Sequence, residues 1–250
     1  MWEKNKKISL CLWGGGARGY IHIWVLKYLE ENEYEIVEVS GTSIWAIIGA
    51  WIATWMNSSE IYDFIESEFS YRKLIDFSFS KGMISGVRIF KKLAEVYGKT
   101  KVCSTKIPLK IIATRLDDST KVVFHDESIV DAVRASMSVP GIFAPHIIDG
   151  KHYMDGMLTE NLPISVLDWD NIIAVSTTLT PDFTTKSTKN YLTKACNIWF
   201  LHNEEMSLKN CSKTVQLIRP EYDDVDFLDF YKYKHCMKIG YDEAKRILGQ

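Results

Sequence analysis

A chain of 250 residues can build one sizeable core, and two domains only if both are small. With 46% hydrophobic and 25% charged residues it has the composition of an ordinary soluble protein. A formal net charge of −2, with no long basic run, gives no reason to expect nucleic acid as a partner.

KKISLCLW (6–13) reads as a buried strand, followed by the loop GGGARG and by YIHIWVLKYLEEN, whose apolar positions recur at helical spacing. YEIVEVS (34–40) is a second short strand running into Gly41-Thr42-Ser43, and IWAIIGAWIATW (44–55) continues as a buried helix, apolar on all sides. NSSEIYDFIESEF (57–69) starts a helix with Asn57 as cap and Glu60 three residues later. A further amphipathic helix, GVRIFKKLAEVYG, ends at Gly98. PLKIIATRL (108–116) and TKVVFHD (120–126) read as neighbouring strands, and SIVDAVRASMSVPG (128–141) as a helix stopped by Pro140. PHIIDGKHYMDG (145–156) is a hairpin around Asp149-Gly150. NIIAVSTT and TVQLIRP are buried strands flanking the helix NYLTKACNIWFLHNEEMSLKN, and the polar tract TPDFTTKSTKN (180–190) is the candidate mobile loop. No repeat or linker divides residues 1–250, so a single α/β domain with parallel strands is expected.

No segment reads as a signal peptide, and the longest nearly apolar run, Ile44 to Met56, is well short of the ~20 residues that span a bilayer. A cytoplasmic protein is expected, able to touch a membrane surface transiently. Cys11, Cys103, Cys196, Cys211 and Cys236 are scattered and lack metal-ligand spacing, so reduced thiols and no metal are expected.

Gly14, Gly15, Gly16, Ala17, Arg18 and Gly19 satisfy G-x-G-x-x-G between a strand and a helix. A dinucleotide site would want an acidic residue about 20 positions on. Glu38 is near the place, but its strand leads straight into Gly41-Thr42-Ser43. The other use of such a loop is as an oxyanion hole, with free backbone N–H groups aimed at developing negative charge. Ser43, at a strand-to-helix junction, has the setting of a nucleophile in G-x-S-x-G. None of the six histidines sits in a context that marks it as a base. Asp155-Gly156, after the hairpin strand, is the better candidate, since a carboxylate alone can take the serine proton.

These elements, in this order, resemble the patatin-like phospholipase family. Gly14 to Gly19 match its oxyanion motif, Gly41, Thr42, Ser43, Ile44 and Trp45 its nucleophile elbow, and Asp155, Gly156 and Met157 its D-G-[AG] dyad motif. VRASMSVPGIFAP and Asn161-Leu162-Pro163 look like further family segments, the core motifs lying within 8–178. The resemblance implies a three-layer α/β/α fold with a mainly parallel central sheet. It implies a Ser43–Asp155 dyad with no metal and no cofactor, and a lipid or acyl-ester substrate hydrolysed through an acyl-serine.

Met157 departs mildly from the dyad motif. Trp45 departs strongly, because the elbow's fifth residue must be small. Trp24 and Trp55 also stand where the family carries glycine, and Trp13 precedes the glycine loop at another such place. Several indoles at close-packed helix–sheet contacts would each cost ~1–3 kcal/mol by overpacking. Two explanations stay open. In one, this is a catalytically impaired patatin-like domain that binds lipid or a protein partner. In the other, the codons are UGA, one base from the glycine codon GGA, translated with a table that reads UGA as tryptophan. A nucleotide-binding reading rests on the glycine loop alone.

Overall fold

The computed structural model of the protein describes residues 6–54, 56–67, 86–178, 188–222, 224–225 and 229–249. The first half runs β1 (Lys7–Leu12), α1 (Ile21–Glu31), β2 (Glu35–Thr42), α2 (Trp45–Ala53), α3 (Ser58–Ser67) and α4 (Val87–Tyr97). It continues through β3 (Leu109–Arg115), β4 (Thr120–Phe124), α5 (Ile129–Ser136), β5 (His146–Ile148) and β6 (Lys151–Asp155). The last part comprises β7 (Asn171–Val175), α6 (Thr188–Lys209), β8 (Thr214–Ile218) and α7 (Tyr233–Leu248).

All eight strands join one sheet, ordered β5-β6-β3-β2-β1-β7-β8, with β4 on the other edge of β3. The pairs β8–β7–β1–β2–β3 are parallel, while β4, β5 and β6 run antiparallel. β1 shows why the sheet is sandwiched. Ile8, Leu10 and Leu12 enter a core shared with α1, α2, α3, α5 and α7, while Cys11 and Trp13 face Leu162, Ile164, Leu167 and Phe200 of α6 on the opposite side. A strand buried on both faces reads as a continuous apolar run, as this one does. The fold is therefore the expected α/β/α sandwich.

Local expectations hold where local chemistry decides them. Asn57 Oδ1 accepts from Glu60 N and Glu60 Oε2 accepts from Asn57 N, both at 2.9 Å, the reciprocal capping box. Asp149 (φ 49°) and Gly150 (φ 76°) make the left-handed turn between β5 and β6. α5 is shorter than expected and stops at Ser136, well before Pro140. The Ser138 hydroxyl bonds back to the Arg134 carbonyl at 2.8 Å, and Val139 begins a turn that accepts the amides of Ile142 and Phe143. Residues 179–187, most of the expected mobile loop, and Trp55 lie outside the described residues; 188–190 are helical.

Candidate active site

β3 places the site through an exchange of neighbours along one edge. β2 pairs with its first half, ending at Thr42 opposite Ile112, and β6 takes over one residue later, with Asp155 opposite Ala113. β4 occupies the other edge of the same residues, so β2 and β6 share one side. Ser43 leaves the end of β2 where Asp155 ends β6. Two close approaches fix this seam. A Cβ on Gly41 would fall 3.0 Å from the Trp45 carbonyl oxygen, and one on Gly156 would fall 2.5 Å from that of Ile112.

Ser43 has φ 64°, one of four non-glycine residues with positive φ among those described. Such a conformation is costly outside glycine and marks a sharp, held turn. The Ser43 N–H donates to Ser136 Oγ at 2.9 Å, and that hydroxyl donates to the Ile112 carbonyl at 2.6 Å. α2 starts two residues later, its N-terminal dipole favouring negative charge at this end.

Asp155 is fully buried. Its Oδ1 accepts the Met157 N–H at 2.9 Å, which needs only the backbone of Met157 and explains why that side chain is free to vary. Burial pushes the carboxyl up to about 7, partly offset by the Ser43 hydroxyl and the Met157 N–H. The Ser43 contact stops short of a formed hydrogen bond, since Oδ2 has no hydrogen-bond partner.

The glycine loop passes over the elbow. A Cβ on Gly14 would lie 3.1 Å from Ser43 Cβ and 2.8 Å from Asn161 Oδ1. The Gly14 N–H donates to the Asn161 carbonyl at 3.3 Å, and Gly15 and Gly16 follow at the start of a 3-10 turn (Gly16–Tyr20). Arg18 is buried and its Nε donates to the Val225 carbonyl at 3.1 Å, tying the loop to the segment before α7. Ala17 and Gly19 are buried in the same turn. Beside it, buried Glu204 of α6 accepts from the Ser176 and Thr178 hydroxyls at 2.6 and 2.7 Å and pairs with Arg219, fixing the chain that leaves β7.

Twelve buried side-chain polar atoms lack a hydrogen-bond partner among the described residues, and seven belong to this neighbourhood: Trp13 Nε1, His22 Nδ1, Trp45 Nε1, Asp155 Oδ2, both carboxamide atoms of Asn161, and Thr177 Oγ1. Buried polar groups are otherwise nearly always satisfied, so such a concentration marks a place built for something besides packing. Ser43 is only 4% exposed, and Trp45 packs edge-on against Tyr20 and His22 at 5.9 and 5.2 Å.

Sequence reasoning missed Ser136, Asn161 and His22. Ser136 and Asn161 lie in quoted segments but carry no spacing that assigns a role. His22 lies in the first turn of α1; its Nε2 meets the Trp13 carbonyl at 3.0 Å, and burial lowers it to about 4. His202 is exposed, and His235 pairs with Asp224 on the surface. Glu38, the residue a dinucleotide site would have used, instead accepts from the Ser9 hydroxyl and the amides of Asp168 and Trp169. Elsewhere, Cys103, His125 and Asp126 bring a thiol, an imidazole nitrogen and a carboxylate oxygen within 4.8 Å of one another, all exposed, a grouping that sequence spacing does not reveal.

Comparison with known proteins agrees with this fold. An uncharacterized NTE family protein of Mycobacterium tuberculosis is 33% identical over 180 residues, covering 70% of this chain and 50% of its own length. Lysophospholipase NTE1 of Candida albicans is 25% identical over 273 residues, covering 94% of this chain and 19% of its own. This chain thus spans about half the length of the mycobacterial relative and a fifth of the fungal one. VipD from Legionella pneumophila superposes with a TM-score of 0.68 at 16% identity, over 98% of this chain and 67% of that one. The type III effector ExoU does so with a TM-score of 0.55 at 16% identity, over 98% and 53%. The patatin-like phospholipase profile matches residues 10–168, and the chain belongs to that family.

Proposed function

We propose that this chain, acting as one domain, hydrolyses fatty-acyl esters of lipids, of phospholipase A or lysophospholipase type, through a Ser43–Asp155 dyad. The observation that carries the reading is the juxtaposition along one edge of β3 of a serine held at φ 64° and a buried carboxyl raised to about 7. A base with a pKa near the working pH is half ionised there and still basic enough to accept a proton.

Ser43 Oγ attacks the ester carbonyl carbon while its proton passes to Asp155 Oδ2, the oxygen without a partner. The Gly15 and Gly16 N–H groups receive the oxyanion. Collapse of the tetrahedral intermediate breaks the bond to the alcohol, which leaves with the proton held by Asp155. Water then gives a proton to Asp155 and attacks the acyl-serine; as the second tetrahedral intermediate collapses, Asp155 returns that proton to Ser43 Oγ and the fatty acid is released. Arg18 acts by holding the loop through Val225. The lipid class follows from the family and from the lysophospholipase named among the relatives. Contact with the lipid surface is transient in this reading; no helix among the described residues is long and apolar enough to cross a membrane.

The test is hydrolysis of a short-chain acyl ester and a lysophospholipid by the purified chain, with and without a serine-reactive organophosphonate. Turnover lost on stoichiometric labelling of Ser43 supports the dyad. Binding of lipid without turnover or labelling would instead favour the impaired domain.

A further inference from the structure

Trp13 and Trp45 are set apart from the other described tryptophans by the glycine loop they press on; burial alone does not separate them, since Trp51 is also 1% exposed. They lie on opposite faces of the sheet, 1% and 2% exposed, and both press on the glycine loop. The Trp13 ring sits where a Cβ on Gly15 would fall, 2.1 Å from its nearest carbon, and the Trp45 ring sits 1.8 Å from the corresponding point on Gly19. Each indole Nε1–H is sealed from water without an acceptor. Trp169 Nε1 by contrast donates to the Lys7 carbonyl at 3.3 Å, Trp199 is 39% exposed, and Trp24 is half-buried beside Lys27 and Tyr241. The two indoles set against the loop over Ser43 are those of Trp13 and Trp45.

Their position has a consequence for access. Ser43 is 4% exposed and Asp155 fully buried, so the approach to them is narrow as the side chains stand. An apolar cavity lined by Tyr20, Ile44, Ile47, Ile48, Ile65 and Phe230 lies beside the elbow, with the Trp45 indole as part of its wall. Without that indole the cavity would extend toward the serine, and the elbow would be Gly-Thr-Ser-Ile-Gly, the small fifth residue its sharp turn calls for.

We infer that positions 13 and 45 are glycine in the protein as its own cells make it, each encoded by UGA, and that the space now filled by the Trp45 indole is the acyl-chain entry to Ser43. UGA and GGA differ by one base, and genetic codes exist that read UGA as glycine and others that read it as tryptophan. Translating such a gene with the tryptophan table inserts an indole wherever glycine was encoded by UGA, without regard to packing. That accounts for buried, unpartnered indoles appearing at the contacts where the backbone needs most room. The decoding stands on packing alone; the entry rests on the hydrolase reading.

Reading the gene and weighing the native peptides that contain residues 13 and 45 is the test. UGA codons with glycine masses at both positions are expected. UGG at either position, or a tryptophan mass in the native peptide, overturns the inference. A second arm compares organophosphonate labelling of Ser43 in the chain as given and in the Trp13→Gly/Trp45→Gly double variant, both produced with standard codons. Labelling at least tenfold faster in the double variant is expected, and equal rates would refute the entry. Glycine masses together with no labelling of either form would sink the hydrolase reading while leaving the decoding intact.

Discussion

Replacing Asp155 by Asn should stabilise the fold above neutral pH while removing hydrolysis. The buried carboxyl sits at about 7 against an ordinary 3.8. Because the folded-state value is raised, the stability linked to this group is full below about pH 4 and is lost as pH rises through about 7. That gap, at roughly 1.4 kcal/mol per pH unit, amounts to ~4 kcal/mol that the wild type forgoes at pH 8. Asparagine carries no charge to desolvate, and its Oδ1 can still accept the Met157 N–H. The variant should therefore match wild type near pH 4 and melt higher at pH 8, by roughly 8–16 °C at 2–4 °C per kcal/mol for a chain of this size. Melting both proteins by circular dichroism from pH 4 to 8 gives the difference curve. Parallel curves, or a variant less stable at pH 8, would refute the argument that burial raises this carboxyl.

Ser43→Ala and Asp155→Asn should each abolish ester hydrolysis with the fold intact, and the double variant should be no worse than either, because the pair works as a unit; robust turnover by Asp155→Asn points to another base. kcat/KM should rise with pH through about 7 as Asp155 ionises, and a profile flat from pH 5 to 8 contradicts that assignment. Ser136→Ala strands the Ser43 N–H and frees the Ile112 carbonyl, so it should cost about 1–3 kcal/mol in denaturant melts and lower kcat; unchanged values for both would mean the hydroxyl does not hold the elbow. Chelators should leave the rate on lysophospholipid unchanged, whereas loss restored by calcium would overturn the dyad.

What was legible in the sequence was what neighbours along the chain decide. The contiguous apolar run of β1, the Asn57–Glu60 box and the Asp149-Gly150 turn each carry their own signal. Ser43 and Asp155 were legible because each sits in a short motif beside a glycine. The seam that joins them was not, since pairing of β2 and β6 along one edge of β3 is a contact between distant segments. Ser136 and Asn161 escaped for the same reason: their partners, Ile112, Ser43 and Gly14, lie far off in sequence. α5 ends early because a serine hydroxyl competes for the helix backbone, which a proline four residues on does not foretell. The tryptophans divide in the same way. The family resemblance flagged them together, and only packing separates Trp13 and Trp45 from Trp24.

The handover on β3 also sets when a newly made chain acquires its chemistry. In the proposed mechanism the nucleophile Ser43, its loop and the parallel strands β1 to β3 belong to the first half of the chain, but the proton acceptor Asp155 arrives with the β5–β6 hairpin. Ser43 and Asp155 are 112 residues apart in the chain, and contacts that distant form late, because closing the intervening loop comes before any gain from the contact. An emerging or partly refolded chain thus holds a serine with no base beside it. Esterase activity in a refolding time course should accordingly lag behind the appearance of secondary structure, and the chain stays inert toward lipid until its sheet is complete.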